Sequence, residues 1–523
     1  MNELTREEQS TTTATTTASP EPDTSTPPDT PTYEENLLED EMGDPERLTG
    51  IGLLRFRFHL ANFRPDRTLS QRRFSIAEGA VLFMVAIIAS RGLGVIRQSL
   101  FNAVFSVGPS ANAYYAAARL PDLLFSLIAG GALSHAFIPI FTSYNKEQGR
   151  EAAWRLSSLV FNLLLVTLTA ALLVGELLAP AFVNHLLVPG YDAATQSLTT
   201  SLTRIMLLQA LFLGLGTIIT ALLNTRQQFF LPSFAIAVYN IGPIAGLLFT
   251  LLIPSVGIYG PTCGIVVAAL LHVAVQIPGL LKQSPRYFFT WSLKDPGLRQ
   301  VLRLLGPNIA SVAIASVSLT VDTAFVSYLA DKASLAALHN AYTIFALPVA
   351  LLAQATAQSV LPRLSALAAH GSYTRLRLLA IKILASGLCL GIPTAILLCI
   401  LGRPLIHILF QHGAFGKHAT NLTDLALIGY AVGLPAVIAI ALMMSTFYSF
   451  KDALTPLITN IFNFAVHLGL ILLLLGHLKG PDAILAIPLA ASGSATIEAI
   501  VLGLLLFQRL RRKRAGELRE IES

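Results

Sequence analysis

From Ile76 onward the chain alternates apolar stretches with short polar turns. A helix needs about 20 apolar residues to cross the hydrocarbon core of a bilayer. Twelve stretches meet that length: 76–98, 112–141, 157–183, 198–223, 230–253, 258–281, 299–329, 335–361, 376–401, 422–447, 455–476 and 483–507. Residues 1–50 have a different character. TTTATTTASPEPDTSTPPDTPTYEE is Thr, Pro and acid with almost nothing apolar to bury, which predicts a disordered acidic tail. It lacks the basic start and apolar run of a signal peptide. Residues 51–75 are basic and aromatic and are expected to lie at the membrane surface, and 509–523, opening RLRRKR, form a basic tail.

Proline positions divide the apolar body in two. Pro180 and Pro404 stand 224 residues apart, as do Pro232 and Pro456, while Pro139 and Pro362 stand 223 apart. An offset of six spans preserves orientation, so the halves are parallel repeats about an axis along the membrane normal. The expected fold is therefore an all-α polytopic membrane protein of about 12 transmembrane helices. Its N-terminal six-helix lobe covers 76–290 and its C-terminal lobe 291–508. Two such lobes around a central cleft are the shape of an alternating-access transporter.

Composition agrees: 54% of the 523 residues are hydrophobic and only 13% charged, against about 25% charged in soluble domains. The net charge of +6 conceals an asymmetry, because 13 of the 30 acids fall within residues 1–50. Basic residues follow alternate spans: Lys146, Arg150 and Arg155, then Arg226, then Lys282, Arg286 and Lys294, then Arg363, Arg375 and Arg377, then RLRRKR. The positive-inside rule places those loops and both termini in the cytoplasm. Positive charge spread over loops does not point to nucleic acid. Cys263, Cys389 and Cys399 lie in apolar spans without metal-ligand or disulfide spacing, so neither metal nor cofactor is expected. No GxxxxGK[ST] motif and no catalytic triad or HExxH arrangement is visible, so the chain is not expected to be an enzyme or to hydrolyse ATP.

Candidate chemistry lies in the charges inside the spans. An Arg near the centre of a spanning helix costs about 2.5–3.5 kcal/mol, yet ASRGLGVIRQS (89–99) carries Arg91 and Arg97. Arg97 is close enough to the outer face to snorkel to headgroups. Arg91 lies deeper and points to a cavity and an anion, with Gly92 and Gly94 allowing close approach. In AARLPDLLF, Arg119 and Asp122 share a helical face and are expected to pair, either structurally or around a substrate. Glu176, Asp322 and Glu498 are intramembrane acids that could couple ion movement, and Arg204 reads as an interface anchor.

SRGLGVIRQ (90–98), ANAYYAAARLPDLLFSLIAGGALSHAFIPIFTSY (111–144) and LFQHGAFGKHAT (409–420) resemble the MurJ (MviN) family of lipid II flippases, relatives of MATE exporters. The resemblance runs from about residue 76 to 508. It implies transport of the undecaprenyl-linked peptidoglycan precursor across the bacterial cytoplasmic membrane, with cell-wall synthesis proteins as further partners. By the resemblance, Arg91 and Arg97 line the cavity and meet the pyrophosphate, and Arg119, Asp122, Asn112, Gly131 and Ser134 continue the substrate site. The chain departs from the family pattern at Gln98, Asn112, Phe125 and Gly130, and its last apolar span ends before two further C-terminal helices. Two alternatives differ in kind. One is an exporter of another lipid-linked saccharide or a MATE-like antiporter, for which a cationic drug would want an acidic cavity. The other is a non-transporting relative acting as a cell-wall scaffold, which would have no reason to hold arginines in a membrane.

Overall fold

The computed structural model describes residues 76–128 and 132–522, so the expectations for residues 1–75, Gly130 and Gly131 lie outside the described residues. Every regular element among those described is a helix. The first expected span is α1 (Ile76–Phe105), which stops at the left-handed Ser106. The second is divided into α2 (Pro109–Ala117), α3 (Arg119–Ile128) and α4 (Ala132–Glu147). Then follow α5 (Gly149–Phe182), α6 (Ala193–Thr225), α7 (Phe230–Val238), α8 (Ile241–Leu252) and α9 (Tyr259–Lys282). The C-terminal half contains α10 (Pro296–Ser327), α11 (Ser334–Pro348), α12 (Thr356–Ala369), α13 (Tyr373–Phe410), α14 (Lys417–Ser449), α15 (Leu454–His477) and α16 (Ala486–Glu522).

Nine helical runs among the described residues are long and apolar enough to cross a membrane. The expected count of twelve is not reproduced on that criterion. The other three spans fall on α1, on the α2–α3–α4 series and on α10. The second is divided among three shorter helices, and in α10 Val312–Ser327 counts as a shorter apolar helix among the described residues. Local chemistry explains the boundaries. Pro109 and Pro296 occupy first-turn positions, where a missing N–H costs nothing. Asp192 and Asp295 cap α6 and α10 by accepting from the backbone N–H of Thr195 (3.1 Å) and Leu298 (3.0 Å). Widened π-helical turns at Val183–Leu187 and Val349–Ala355 follow Pro180 and Pro348, whose rings remove a backbone hydrogen bond. The basic tail is not separate from the last span, because α16 continues through it to Glu522.

Four apolar clusters hold the helices, the smallest formed by Ile219, Leu223 and Leu231 in the N-terminal half. At the end carrying the basic loops, one core joins Phe137, Trp154, Leu156 and Leu222 with Leu298 and Val301 of α10. A second joins Leu364, Leu376, Phe447, Leu502 and Leu506. At the opposite end a single core draws on both halves, including Phe101, Tyr114, Met206, Leu335, Phe345, Phe410 and Phe415. The halves are thus joined away from the basic loops and keep separate cores beside them. Helix α10 links the two regimes: Leu298 lies in the N-terminal basic-end core and Val326 in the shared one.

Helices α8 and α9 touch backbone to backbone. A Cβ at Gly246 would stand 2.2 Å from the carbonyl oxygen of Gly260, and one at Gly242 would stand 2.3 Å from that of Gly264. This is close packing through small residues. Gly92, expected to serve a similar purpose, meets nothing within 4 Å. Gly246→Val should therefore lower stability by about 1–3 kcal/mol through forced separation, read as a fall in melting temperature in detergent, while Gly92→Ala leaves it unchanged.

The α14–α15 turn carries Asp452, which accepts from the backbone of Thr455 (3.0 Å) and from Arg509 of α16. Burial pushes its carboxyl up, but the bonds from Thr455 and the Arg509 charge outweigh burial and hold it below its usual range. A carboxyl depressed in the folded state stabilises above its unfolded pKa, and that contribution is lost as pH falls through the folded value. Asp452→Asn should flatten the acid side of the melting-temperature profile and leave its alkaline side unaltered in shape.

Candidate substrate site on helix α1

Helix α1 presents two polar faces. Residues seven and eleven apart fall on one side of a helix, which puts Arg91, Gln98 and Asn102 together. Gln98 and Asn102 point at the other half. The Gln98 Nε2 donates to Asn340 Oδ1 of α11 (2.6 Å) and to the Tyr115 hydroxyl (2.6 Å), and Asn102 Nδ2 donates to Asn340 Oδ1 (3.0 Å). All three amide side chains are buried. Arg91 extends the same face about 10 Å toward the basic end at 1.5 Å per residue, and it is exposed there.

Arg97 belongs to the second face, beside α7 and α8. On that side the Asn240 Nδ2 of the α7–α8 break donates to Ser90 Oγ (3.1 Å). Arg97 lines a cavity of about 150 Å³ with Asp122, Gln209, Tyr114, Tyr239 and His339. Its wall is rigid, because Tyr239 donates to Gln209 Oε1 (3.0 Å) and Gln209 donates to Asp122 Oδ1 (3.1 Å). The cavity therefore offers one cation, one carboxylate already engaged by an amide, and aromatic surface. Such a set can hold an anionic group through charge-assisted hydrogen bonds from the guanidinium.

The expected Arg119–Asp122 ion pair does not form. Arg119 Nε instead donates to Thr323 Oγ1 of α10 (3.2 Å), while Asp122 Oδ1 accepts from Gln209, although both residues lie in α3. Asn112 plays a joining role: its amide donates to the Lys332 carbonyl, and its Oδ1 accepts from Ala336 N (2.8 Å). Ser134 lies half-buried in the first turn of α4, outside the Arg97 cavity. The three acids also sit outside that cavity. Glu176 pairs with Arg204 at 3.5 Å, Asp322 with His467 at 2.7 Å, and Glu498 is buried beside Thr459 and Asn463.

Several residues of the junction carried no motif: Asn102, Tyr115, Gln209, Tyr239, His339, Asn340 and His467. The repeat offset was the available signal. Asn112 and Ala336 are 224 apart, and so are Tyr115 and His339, whose rings stack with centroids 4.0 Å apart. These equivalents meet because α2 and α11 face each other across the axis relating the halves.

A family model described as lipid II flippase MurJ matches residues 101–521. The chain belongs to the MurJ family. It is 30% identical over 373 residues to the lipid II flippase MurJ of Burkholderia cenocepacia, an overlap of 70% of this chain and 72% of that relative. It is 28% identical to the probable lipid II flippase MurJ of Rhizobium meliloti, covering 84% of this chain and 80% of that one. Among solved structures, a lipid II flippase MurJ in an inward closed conformation superposes with a TM-score of 0.70 at 25% identity, covering 84% of this chain and 91% of the other. A MATE multidrug transporter in an inward-facing conformation superposes with a TM-score of 0.71 at 12% identity, over 83% of this chain and 99% of that one, and shows the shared fold.

The junction must part for the opposite side to open. In a variant without native cysteines, Asn112→Cys with Ala336→Cys should cross-link under mild oxidation. Asn340→Leu should leave Gln98 and Asn102 buried without their acceptor, costing about 1–3 kcal/mol, seen as a lower melting temperature and weaker cross-linking.

Proposed function

We propose that this protein flips lipid II, the polyprenyl-pyrophosphate-linked peptidoglycan precursor, from the cytoplasmic to the outer leaflet of a bacterial cytoplasmic membrane by alternating access. The observation that carries the reading is the pair of arginines on α1 of a MurJ-family chain, Arg91 exposed and Arg97 lining a cavity. Charge-assisted contacts of about 1.5–3 kcal/mol each offset an insertion cost of about 2.5–3.5 kcal/mol per Arg. A scaffold would gain nothing for that cost, and a cationic drug would be repelled by the two guanidinium groups.

In this reading the headgroup enters the cleft between the separate basic-end cores while the polyprenyl tail stays in lipid. Arg91 meets the pyrophosphate first, and Arg97, a turn and a half further along α1, takes it nearer the junction. Parting of the α2–α11 contact and closure of the basic end then expose the headgroup to the outside. Outward movement of an anion is downhill in an inside-negative potential, by about 2.3 kcal/mol per elementary charge per 100 mV, so the mechanism has no need of ATP or of a covalent step. Ion coupling, if the potential alone is insufficient, is assigned to Asp322 with His467 and to Glu498. Glu176 with Arg204 is exposed enough to serve as an anchor.

The test is replacement. In a bacterium depleted of its own flippase, this chain should restore growth and lipid II exposure at the outer face. Arg91→Ala and Arg97→Ala should each lower that exposure at least tenfold with membrane insertion unchanged. Correct insertion without any rescue by the unsubstituted chain would overturn the lipid II reading.

A further inference from the structure

A second cavity, of about 620 Å³, opens at the basic end of the C-terminal half between α14, α15 and α16. Its walls combine two chemistries. Ile458 of α15 and Leu505 of α16 form an apolar side that remains 56% and 38% exposed, facing where lipid chains would run. Phe447 closes the bottom, and Arg509, Arg512 and Lys513 supply a cationic rim. Those cations stand where α16 passes from an apolar sequence to RLRRKR, at the level of a headgroup layer.

The three rim cations differ in freedom. Arg509 is committed to Asp452 and lies over the Phe450 ring at 5.4 Å. Lys513 lies over the Tyr373 ring at 5.3 Å, which orients the ammonium without neutralising it. Arg512 is exposed and has no partner among the described residues. With one carboxylate against three cations, the rim keeps a net positive charge and two cations ready for an anion.

The repeat supplies an internal control. The residue 224 before Asp452 is Gln228, and the opening beside it in the N-terminal half is smaller, about 320 Å³, lined by Phe141, Thr142, Asn145, Thr225, Gln227 and one cation, Arg226. Next to it Gln283 Nε2 donates to Gln228 Oε1 (3.3 Å) and to the Leu222 carbonyl (3.3 Å). Leu231 and Leu223 press against Gly279 so closely that a Cβ there would meet them at 2.5 and 2.9 Å. The N-terminal opening thus offers one cation and one aromatic ring, where the C-terminal cavity offers three cations and an apolar wall.

We propose that this cavity binds an anionic glycerophospholipid of the leaflet on the basic side, its phosphate held by Arg512 and Lys513 and one acyl chain lying along Ile458 and Leu505. A cationic rim continuous with a lipid-facing apolar wall selects an amphiphile over a soluble anion, and basic clusters just outside a spanning helix attract anionic headgroups. The site is independent of what the central cleft transports, and it couples a lipid of the surrounding bilayer to α14–α16.

Native mass spectrometry of the full chain in detergent tests this, with dioleoylphosphatidylglycerol, dioleoylphosphatidylcholine and inorganic phosphate as probes. Phosphatidylglycerol should remain bound at least fivefold more than phosphatidylcholine, and inorganic phosphate should not displace it. Arg512→Gln with Lys513→Gln should lower its retention about fivefold. Lys146→Gln with Arg286→Gln, which removes the same charge from the basic end of the N-terminal half, should change it less than twofold. Ile458→Trp fills the cavity without altering charge and should also lower retention, which decides the matter if the charge variants fail to fold. Equal retention of both lipids, displacement by phosphate, equal loss in the two charge variants, or full retention in Ile458→Trp would overturn the proposal.

Discussion

The fold depends on a buried polar contact between two helices that are repeats of one another. Where α2 and α11 face across the axis relating the halves, Asn112 bonds to the backbone at Lys332 and Ala336, and Tyr115 stacks on His339. Beside them the buried Gln98 and Asn102 both donate to Asn340 Oδ1. A buried amide left without a partner costs about as much as several good packing contacts recover. The junction is therefore either made in full or parted in full. That two-way character is what an alternating-access protein requires of its closed side.

The distribution of cores follows from this contact. One apolar core crosses between the halves around the junction, and two separate cores stabilise the basic ends. Each half can then move as a body, because its own basic-end core survives when the shared one rearranges. Helix α10 complicates a simple division at residue 290. It begins among the N-terminal helices and ends in the shared core, with Asp322 tied to His467 of α15. It is placed to carry movement from one half to the other.

Charge within the membrane is divided by purpose. Arg91 and Arg97 lie on different faces of one helix, so a single element carries both an exposed cation and the cation of the Arg97 cavity. Arg119 has been taken up by Thr323 and Arg204 by Glu176, which makes them parts of the framework. At the C-terminal basic end, Arg509 is spent on Asp452 while Arg512 is left unpaired among the described residues. Which arginine is committed and which is available is set by neighbours from distant parts of the chain.

Much of the architecture was legible in one dimension. Helix-length apolar stretches, basic loops after alternate spans and prolines repeating at 224 residues follow from local composition, because a bilayer forces every backbone polar group into a helix. The arginines of α1 were conspicuous for the same reason. Pairing was not legible. Arg119 and Asp122 stand three residues apart in one helix, but the nearness of Thr323 and Gln209 gave each another partner. Gly92 looked like a packing residue, while the close backbone contact lies between Gly246 and Gly260. Gln98 and Asn112 stood out only as departures from the family pattern, and their pairing was hidden because Gln98 and Asn340 are 242 residues apart. Sequence by itself determined which segments enter the membrane and that they do so twice over. Only the tertiary structure decided which polar groups meet there, because a buried hydrogen bond is satisfied by whichever group folding brings within 3 Å and not by its neighbours along the chain.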